Sequence, residues 1–482
     1  MVMKWSILWR TIILSALGRT LYPYCRHLRG LDLRDLSFLL DRLDEPKFRS
    51  KVAKHFFAGE LSRFHIMGET AAKVPGRTRA ARLDIKKILL AVGDEITKQS
   101  PLLEELLEPT TSDVLITALP TWTPRLEHLR ALEFWDGKLL SDETIRNLLH
   151  AHCPNLSRLQ LYMSTDPDSD HHLAQFIGGL QQNALLTFEN NSSCGIGQET
   201  CLAFNNHSRS LYELKLGVEE QGMLALGVLK DATALKTLHI TAFRQSVDLK
   251  ATQNDVFLEI VEWLKSCDSL QEVHFDNVLS APDFLTPILE SGKMMLKSLR
   301  VTGKEGSLYV VKDHQDFHKA LKNQTNLESL VLRADPDPVS RDDIEMLMDA
   351  IVSLKNLKRL DLFRITDYFS NDQIIHLASS LPKLETLYIG GYGISDAVLD
   401  SIAHLSHLKS VTFAGITAFT ADGLLEFIRQ LPERHSGLQL SIEMADPDSM
   451  LSEDEQRLIG DGLATKVGGR FEYQPLRGNE RF

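Results

Sequence analysis

The chain has 482 residues, of which 43% are hydrophobic and 24% charged, and this composition excludes a disordered protein. Its net charge of −12 argues against attraction of the whole molecule to nucleic acid or to an anionic membrane surface. The sequence contains no apolar run of the length that a transmembrane helix needs. Five cysteines, an odd and small number, favour a reducing compartment over a disulfide framework. We therefore expect a cytoplasmic or nuclear protein with neither nucleic-acid nor membrane partners.

The first predicted element is apolar and lies within residues 1–27. Its run Thr11–Leu17, with Lys4 and Arg10 ahead of it, loosely resembles a signal peptide. The run is short, and Arg10 separates it from the apolar residues before it. We predict that residues 1–27 form a buried cap at the start of the fold.

Leucine supplies 79 residues, and many of them belong to a recurring phrase, Leu-x-x-Leu-x-Leu. Clean copies begin at Leu28, Leu156, Leu211, Leu327 and Leu357. Copies with other apolar residues begin at Leu61, Leu129, Leu235, Leu270, Leu296, Leu384 and Leu408, and weaker ones at Leu103, Leu185 and Leu438. The mean spacing is about 29 residues, which is typical of leucine-rich repeats.

Each phrase predicts a strand, because alternate side chains of a strand point to opposite faces and the last two leucines then point inward. The segments between phrases place apolar residues at helical spacing, which predicts helices at 142–150, 255–264, 341–351, 372–378, 395–402 and 422–428. The predicted fold is an α/β leucine-rich-repeat solenoid, or horseshoe, with a curved parallel sheet inside and helices outside. About 14 or 15 irregular repeats would occupy residues 28–470, and residues 471–482 would form a C-terminal tail.

Two N-terminal stretches carry a family resemblance. Residues 8–14, Leu-Trp-Arg-Thr-Ile-Ile-Leu, and residues 18–33, ahead of an array of degenerate repeats, resemble fungal leucine-rich-repeat proteins of the F-box type. The resemblance implies a substrate-recognition component of an SCF-type ubiquitin ligase, with a Skp-type adaptor and a cullin as partners. Only eight residues precede Trp9, so we expect the F-box module itself to be absent or truncated. The alternative is an F-box-less adaptor or regulator, for example of a GTPase, with no role in ubiquitin transfer.

The strand residues that alternate with the buried leucines would line the concave face of the horseshoe. Aromatic and arginine side chains are the usual anchors of protein interfaces, because they combine a large apolar area with polar groups. On this face the candidate partner-binding residues are Trp135, Tyr162, Arg300, Arg333, Arg359, Phe363 and Tyr388. We expect this face to bind another protein.

Other motifs point to ordinary turns and loops. The basic stretch at 73–87 is either a solvated loop or a nuclear-import signal, and Asp-Pro-Asp recurs at 166–168, 335–337 and 446–448 as turn chemistry. Cys153 and Cys267 each precede a strand and are expected to fill turns. The sequence contains no nucleophile, acid–base or metal-ligand motif. We therefore predict no enzyme activity, cofactor or metal, and a purely structural or vestigial product remains a third alternative.

Overall fold

The computed structural model describes residues 1–68, 82–109, 113–244, 247–304, 306–335, 340–365, 368–432 and 435–475. The chain divides into two compact units, Met1–Ala232 (unit 1) and Thr233–Phe482 (unit 2). None of the described helices combines the length and the apolar character that crossing a bilayer requires.

The described part of unit 1 contains six parallel strands, each hydrogen-bonded to the next in chain order. The strands are β1 (Gly30–Asp32), β2 (Glu105–Leu107), β3 (Ala131–Asp136), β4 (Arg158–Met163), β5 (Thr187–Asn190) and β6 (Glu213–Val218). The helices are α1 (Val2–Ala16), α2 (Leu33–Asp44), α3 (Pro46–Phe48), α4 (Lys54–Phe56), α5 (Ile85–Gln99), α6 (Val114–Trp122), α7 (Glu143–His152), α8 (Ser169–Gly179), α9 (Gln198–Phe204) and α10 (Glu220–Ala225).

Unit 2 repeats the same arrangement with more strands. These are β7 (Thr237–Ala242), β8 (Glu272–Asp276), β9 (Ser298–Thr302), β10 (Tyr309–Val310), β11 (Ser329–Leu332), β12 (Ala334–Asp335), β13 (Arg359–Asp361), β14 (Thr386–Ile389), β15 (Tyr392–Ser395), β16 (Ser410–Phe413), β17 (Ile416–Ala418), β18 (Gln439–Ala445) and β19 (Arg470–Pro475). The helices are α11 (Leu249–Thr252), α12 (Asn254–Lys265), α13 (Ala281–Glu290), α14 (Gln315–Leu321), α15 (Arg341–Val352), α16 (Asn371–Ser380), α17 (Leu399–Ala403), α18 (Ala421–Gln430) and α19 (Glu453–Val467).

The main ladder of unit 2 runs in the order β7-β8-β9-β11-β13-β14-β16-β18-β19, and all of its pairings are parallel. Two short parallel pairs, β10 with β12 and β15 with β17, accompany it. Residues 471–475 of the predicted tail belong to β19 and extend this sheet, because they pair with β18. Residues 476–482 lie outside the described part of the chain.

The repeated leucines form the core of each unit, as the periodicity predicts. The middle apolar residue of each phrase lies in register with that of the next strand, and all of these side chains are buried: Leu106, Leu132, Leu159, Phe188 and Leu214 in unit 1, and Leu238, Val273, Leu299, Leu330, Leu360, Leu387, Val411 and Leu440 in unit 2. A single strand buries too little surface to be stable, so stacking in register creates the core. The architecture is that of an α/β leucine-rich-repeat protein.

The predicted helices are confirmed, and polar side chains cap several of them. Asp142 accepts a hydrogen bond from the backbone N–H of Thr144 at the start of α7. At the start of α15, Ser340 and Asp343 form a capping box, which satisfies backbone N–H groups that the helix itself leaves unpaired. The segment predicted at 395–402 is a 3₁₀ turn followed by the short helix α17.

The phrase at Leu61 is not a strand, and that prediction is wrong. Residues Gly59–Phe64 form a 3₁₀ helix in which Leu61 and Phe64 are both buried. The physical reason is that residues three apart also share one side of a 3₁₀ turn, so the first half of the phrase fits either structure. The weaker phrases at Leu103, Leu185 and Leu438, by contrast, do form strands β2, β5 and β18.

Polar side chains stabilise the turns from helix to strand by hydrogen bonds to backbone carbonyls of the preceding repeat. A ring nitrogen of His207 lies 3.1 Å from the carbonyl oxygen of Ile177, and Gln324 donates to the carbonyl of Met294 at 3.1 Å. The five cysteines are buried as thiols. Burial raises the pKa of the Cys153 and Cys267 thiols to about 12, which fits the predicted role of filling turns.

Candidate interaction surfaces

The strand residues that alternate with the core form a polar sheet face in each unit. Face 1, in unit 1, consists of Glu105, Glu133, Trp135, Arg158, Gln160, Tyr162, Thr187, Glu189, Glu213 and Lys215. Face 2, in unit 2, consists of Arg300, Ser329, Arg333, Arg359, Phe363, Thr386, Tyr388, Thr412 and Glu443. All seven of the predicted partner-binding residues belong to one or the other.

Trp135 and Tyr162 stack on each other at the ends of neighbouring strands of face 1. Their ring centroids are 3.9 Å apart and the ring planes differ by 9°. The register of β3 and β4 brings the two residues side by side, and Tyr162 keeps 42% of its surface exposed. The pair therefore presents a flat aromatic surface that is already ordered, so a partner that covers it loses little side-chain entropy.

Glu108 holds the backbone beside this aromatic pair. Its carboxylate accepts hydrogen bonds from the backbone N–H groups of Leu115, at 2.8 Å, and Trp135, at 2.9 Å. The side chain is buried, and burial raises the pKa of Glu108 to about 7, with the nearby carboxylates of Asp113 and Asp136 acting in the same direction. Glu108 thus fixes the strand end that carries Trp135.

The charged groups of face 1 neutralise one another. Lys215 contacts both Glu189, at 3.1 Å, and Glu213, at 2.7 Å, and Arg158 contacts Glu105 at 2.5 Å. A cavity of about 240 Å³ lies above these strands, with acidic and basic side chains around it. Because these charges are already paired, the aromatic pair is the main feature of face 1 that a partner can use.

Face 2 is organised around a chain of aromatic contacts. The Arg333 guanidinium lies 5.4 Å from the centroid of the Phe363 ring, and Phe363 meets Tyr388 edge-on at 5.6 Å. The Tyr388 hydroxyl donates a 2.7 Å hydrogen bond to Glu443 Oε2. Burial, together with this hydrogen bond, raises the pKa of Tyr388 above its usual range. Four residues from four repeats of unit 2 are therefore linked, and the bond from Tyr388 to Glu443 crosses the intervening strand β16.

The three arginines of face 2 differ in their partners. Arg300 Nε donates to Asp276 Oδ1 at 3.1 Å. Arg359 lies 4.0 Å from Asp361, with 53% of its side chain exposed. Arg333 forms no ion pair with any residue that the structure describes, and its Nε atom is buried without a hydrogen-bond acceptor. Arg333 is thus the least compensated of these cations.

Two residues of these surfaces are not predicted from the sequence pattern. Glu108 directly follows β2 and corresponds in register to the buried Phe134 of β3. A carboxylate at a position that is apolar in the next repeat is the signal that could have identified Glu108. Glu443 is not predicted because the phrase that begins at Leu438 is shifted by one residue relative to the other repeats. Leu440 pairs with Val411, so the offsets that point outward in other repeats point inward here.

The other predicted motifs have simple structural roles or lie outside the described residues. At the first Asp-Pro-Asp, Asp166 accepts a hydrogen bond from the backbone N–H of Asp168 and contacts the ring of His172. Within the described ranges, no group of three or more His, Cys, Asp and Glu side chains is placed to hold a metal ion. The basic stretch predicted at 73–87 falls outside the described residues as far as position 81.

Comparison with known proteins yields structural likenesses alone. No protein-family model matches the sequence, and no curated protein matches it either. Among solved structures, an internalin (inlF) from Listeria monocytogenes is similar over 72% of this chain and 80% of its own, with 16% identity and a TM-score of 0.37. A complex of Rad7 and Elc1 from yeast matches over 69% and 82% of the two chains, with 14% identity and a TM-score of 0.36. A complex of TLR13 with the RNA ssRNA13 matches over 80% and 56%, with 16% identity and a TM-score of 0.32.

Proposed function

We propose that this chain is a protein-interaction scaffold that binds its partners through faces 1 and 2. The observation that carries the proposal is the ordered Trp135–Tyr162 stack, which is partly exposed on the polar side of a rigid sheet. Large, preordered aromatic side chains supply most of the affinity in protein interfaces. The Arg333–Phe363–Tyr388 cluster gives unit 2 a similar set of anchors.

The test is loss of partners on removal of the stack. We expect the Trp135→Ala/Tyr162→Ala variant to recover much less of the partners that the wild-type chain captures, because truncation of a central aromatic anchor costs about 2 kcal/mol or more. The measurement is quantitative affinity purification with the full chain, with melting temperatures recorded in parallel.

Leu258→Ala is the matched control for the stack. Leu258 is an exposed apolar residue of α12, away from the strand face, so its removal should leave the captured partners unchanged. If the stack variant, folded as the wild type, captures the same partners in the same amounts, face 1 is not an interaction surface.

A second candidate function is substrate recognition within an SCF-type ubiquitin ligase, and one observation favours it. Large apolar side chains are exposed along α1 and the segment after it; this N-terminal apolar surface consists of Met3, Ile7, Leu8, Leu21, Tyr22 and Tyr24. Residues 1–66 carry 12 Lys or Arg against 6 Asp or Glu, although the whole chain is acidic. An apolar surface in a basic setting suits an adaptor with an acidic, partly apolar face.

We expect the full chain to recover a Skp-type adaptor and a cullin, and the Leu8→Asp/Leu21→Asp variant to lose both. A carboxylate placed in an apolar interface is desolvated without a partner, which costs several kcal/mol. Leu458→Asp, which changes a leucine of α19 that is about as exposed as Leu8, is the control. Reproducible absence of adaptor and cullin from the wild-type complex would exclude the ligase role and leave the scaffold proposal intact.

A further inference from the structure

Arg333 lies on face 2 at the end of β11, where strands β9 and β13 of the main ladder flank it on both sides. It follows β11 directly, and its backbone N–H donates to the carbonyl of Val301 on β9 at 2.9 Å. On its other side the ring of Phe363 lies beneath the guanidinium. The backbone and the ring together fix the position of the charged group.

The charge of this guanidinium is poorly compensated within the protein. Its Nε–H group is buried with no acceptor, which costs free energy. The contact with Phe363 stabilises the charge through the face of the ring but supplies no acceptor for that N–H group. Arg300, on the adjacent strand β9 of the same face, has Asp276 as a compensating partner, so the lack of an acidic partner at Arg333 is not a general property of the face.

We propose that Arg333 is the anchor of a carboxylate-recognition site, which binds one Asp or Glu side chain of the partner protein. A guanidinium is planar and offers paired N–H donors, which match the two oxygens of a carboxylate. Arg359 lies on the neighbouring strand β13, level with Ser329, and adds a second, partly exposed positive charge to the same face.

The surroundings of Arg333 favour a carboxylate over a phosphoryl group. Glu443 and Asp361 both lie on the same side of the sheet, and Glu443 is held there by the hydroxyl of Tyr388. Two fixed negative charges repel a dianion more strongly than a monoanion. The Tyr388 hydroxyl already donates to Glu443, so Arg333 supplies the main donors to the ligand. This inference rests on the proposed function, because it names the chemistry by which face 2 holds its partner.

The experiment is a peptide selection by phage display against the full chain, with counter-selection against the Phe363→Ala/Tyr388→Ala variant to retain peptides that need face 2. We expect the retained peptides to share an Asp or Glu. Arg333→Gln should weaken their binding about 10- to 100-fold, as expected for a hydrogen bond to a charged group. Changing the acidic residue of the peptide to its amide should cause a similar loss, and the two changes together should cost little more than either alone.

Two further variants and one melting-temperature measurement make the result specific. Arg300→Gln removes the same charge from the same face and should change the Kd by less than about twofold, since its charge is already paired. Arg333→Lys keeps the charge without the planar donors and should lie between wild type and Arg333→Gln. Arg333→Gln should melt at or above the wild-type temperature, because it removes an uncompensated cation; a clearly lower melting temperature would mean that Arg333 has a structural role and would overturn the inference.

The remaining outcomes separate the two proposals. Retained peptides that lack an acidic residue, or that bind Arg333→Gln as well as the wild type, overturn the carboxylate site but leave face 2 as an interaction surface. Tighter binding of a phosphoserine peptide than of its Glu counterpart overturns the preference for a carboxylate. If no peptide survives the counter-selection, face 2 does not bind peptides, and the proposed function of this face fails together with the inference.

Discussion

Leu330→Ala is expected to lower the free energy of unfolding by about 2–5 kcal/mol, the range observed when a buried leucine side chain is cut back to alanine. Leu330 is fully buried in β11, in register between Leu299 of β9 and Leu360 of β13. Neighbouring strands hold these leucines at a fixed spacing, so they cannot move in to fill the cavity. Urea unfolding followed by circular dichroism measures the change.

Ser329→Ala is the control for this prediction. Ser329 precedes Leu330 on the same strand and points to the opposite side of the sheet, where it is only half-buried. Its replacement should change the free energy of unfolding by less than about 0.5 kcal/mol. Equal effects of the two substitutions would mean that the leucines do not form the core of unit 2.

Glu108 is expected to make the stability of the chain depend on pH between about pH 4.5 and 7. The pKa of this carboxyl is raised from 4.5 to about 7 by burial, so the folded state holds the proton more tightly than the unfolded state. The resulting stabilisation is complete below pH 4.5 and is lost as the pH rises toward 7. A shift of this size corresponds to about 3 kcal/mol.

Glu108→Gln should remove this part of the pH profile, because an amide does not titrate. The variant also loses one of the two hydrogen bonds from Leu115 and Trp135, since its amide group carries one oxygen. Glu189→Gln, on face 1 in contact with Lys215, is the matched control and should leave the slope unchanged. Unfolding midpoints in urea at several pH values test this, and an unchanged slope in Glu108→Gln would contradict the prediction.

The Trp135–Tyr162 stack and the Arg333–Phe363–Tyr388 cluster could be predicted in part from the alternation of residues along the strands. Alternation along a strand decides which side a residue points to. Trp135 and Tyr162 occupy equal positions in successive phrases, which makes them neighbours on one face, and they stack. The separation of the predicted residues between two compact units could not be predicted, because every phrase has the same pattern wherever it lies in the chain.

The sequence by itself determined the parallel strands, the helices between them and the side of the strand on which each candidate residue lies, because these depend on local periodicity. Only the tertiary structure decided which charges are compensated. Arg300 and Arg333 look alike in sequence, yet one meets Asp276 and the other has no acidic partner among the described residues. That difference arises from side chains of separate repeats, at distances that local spacing does not encode.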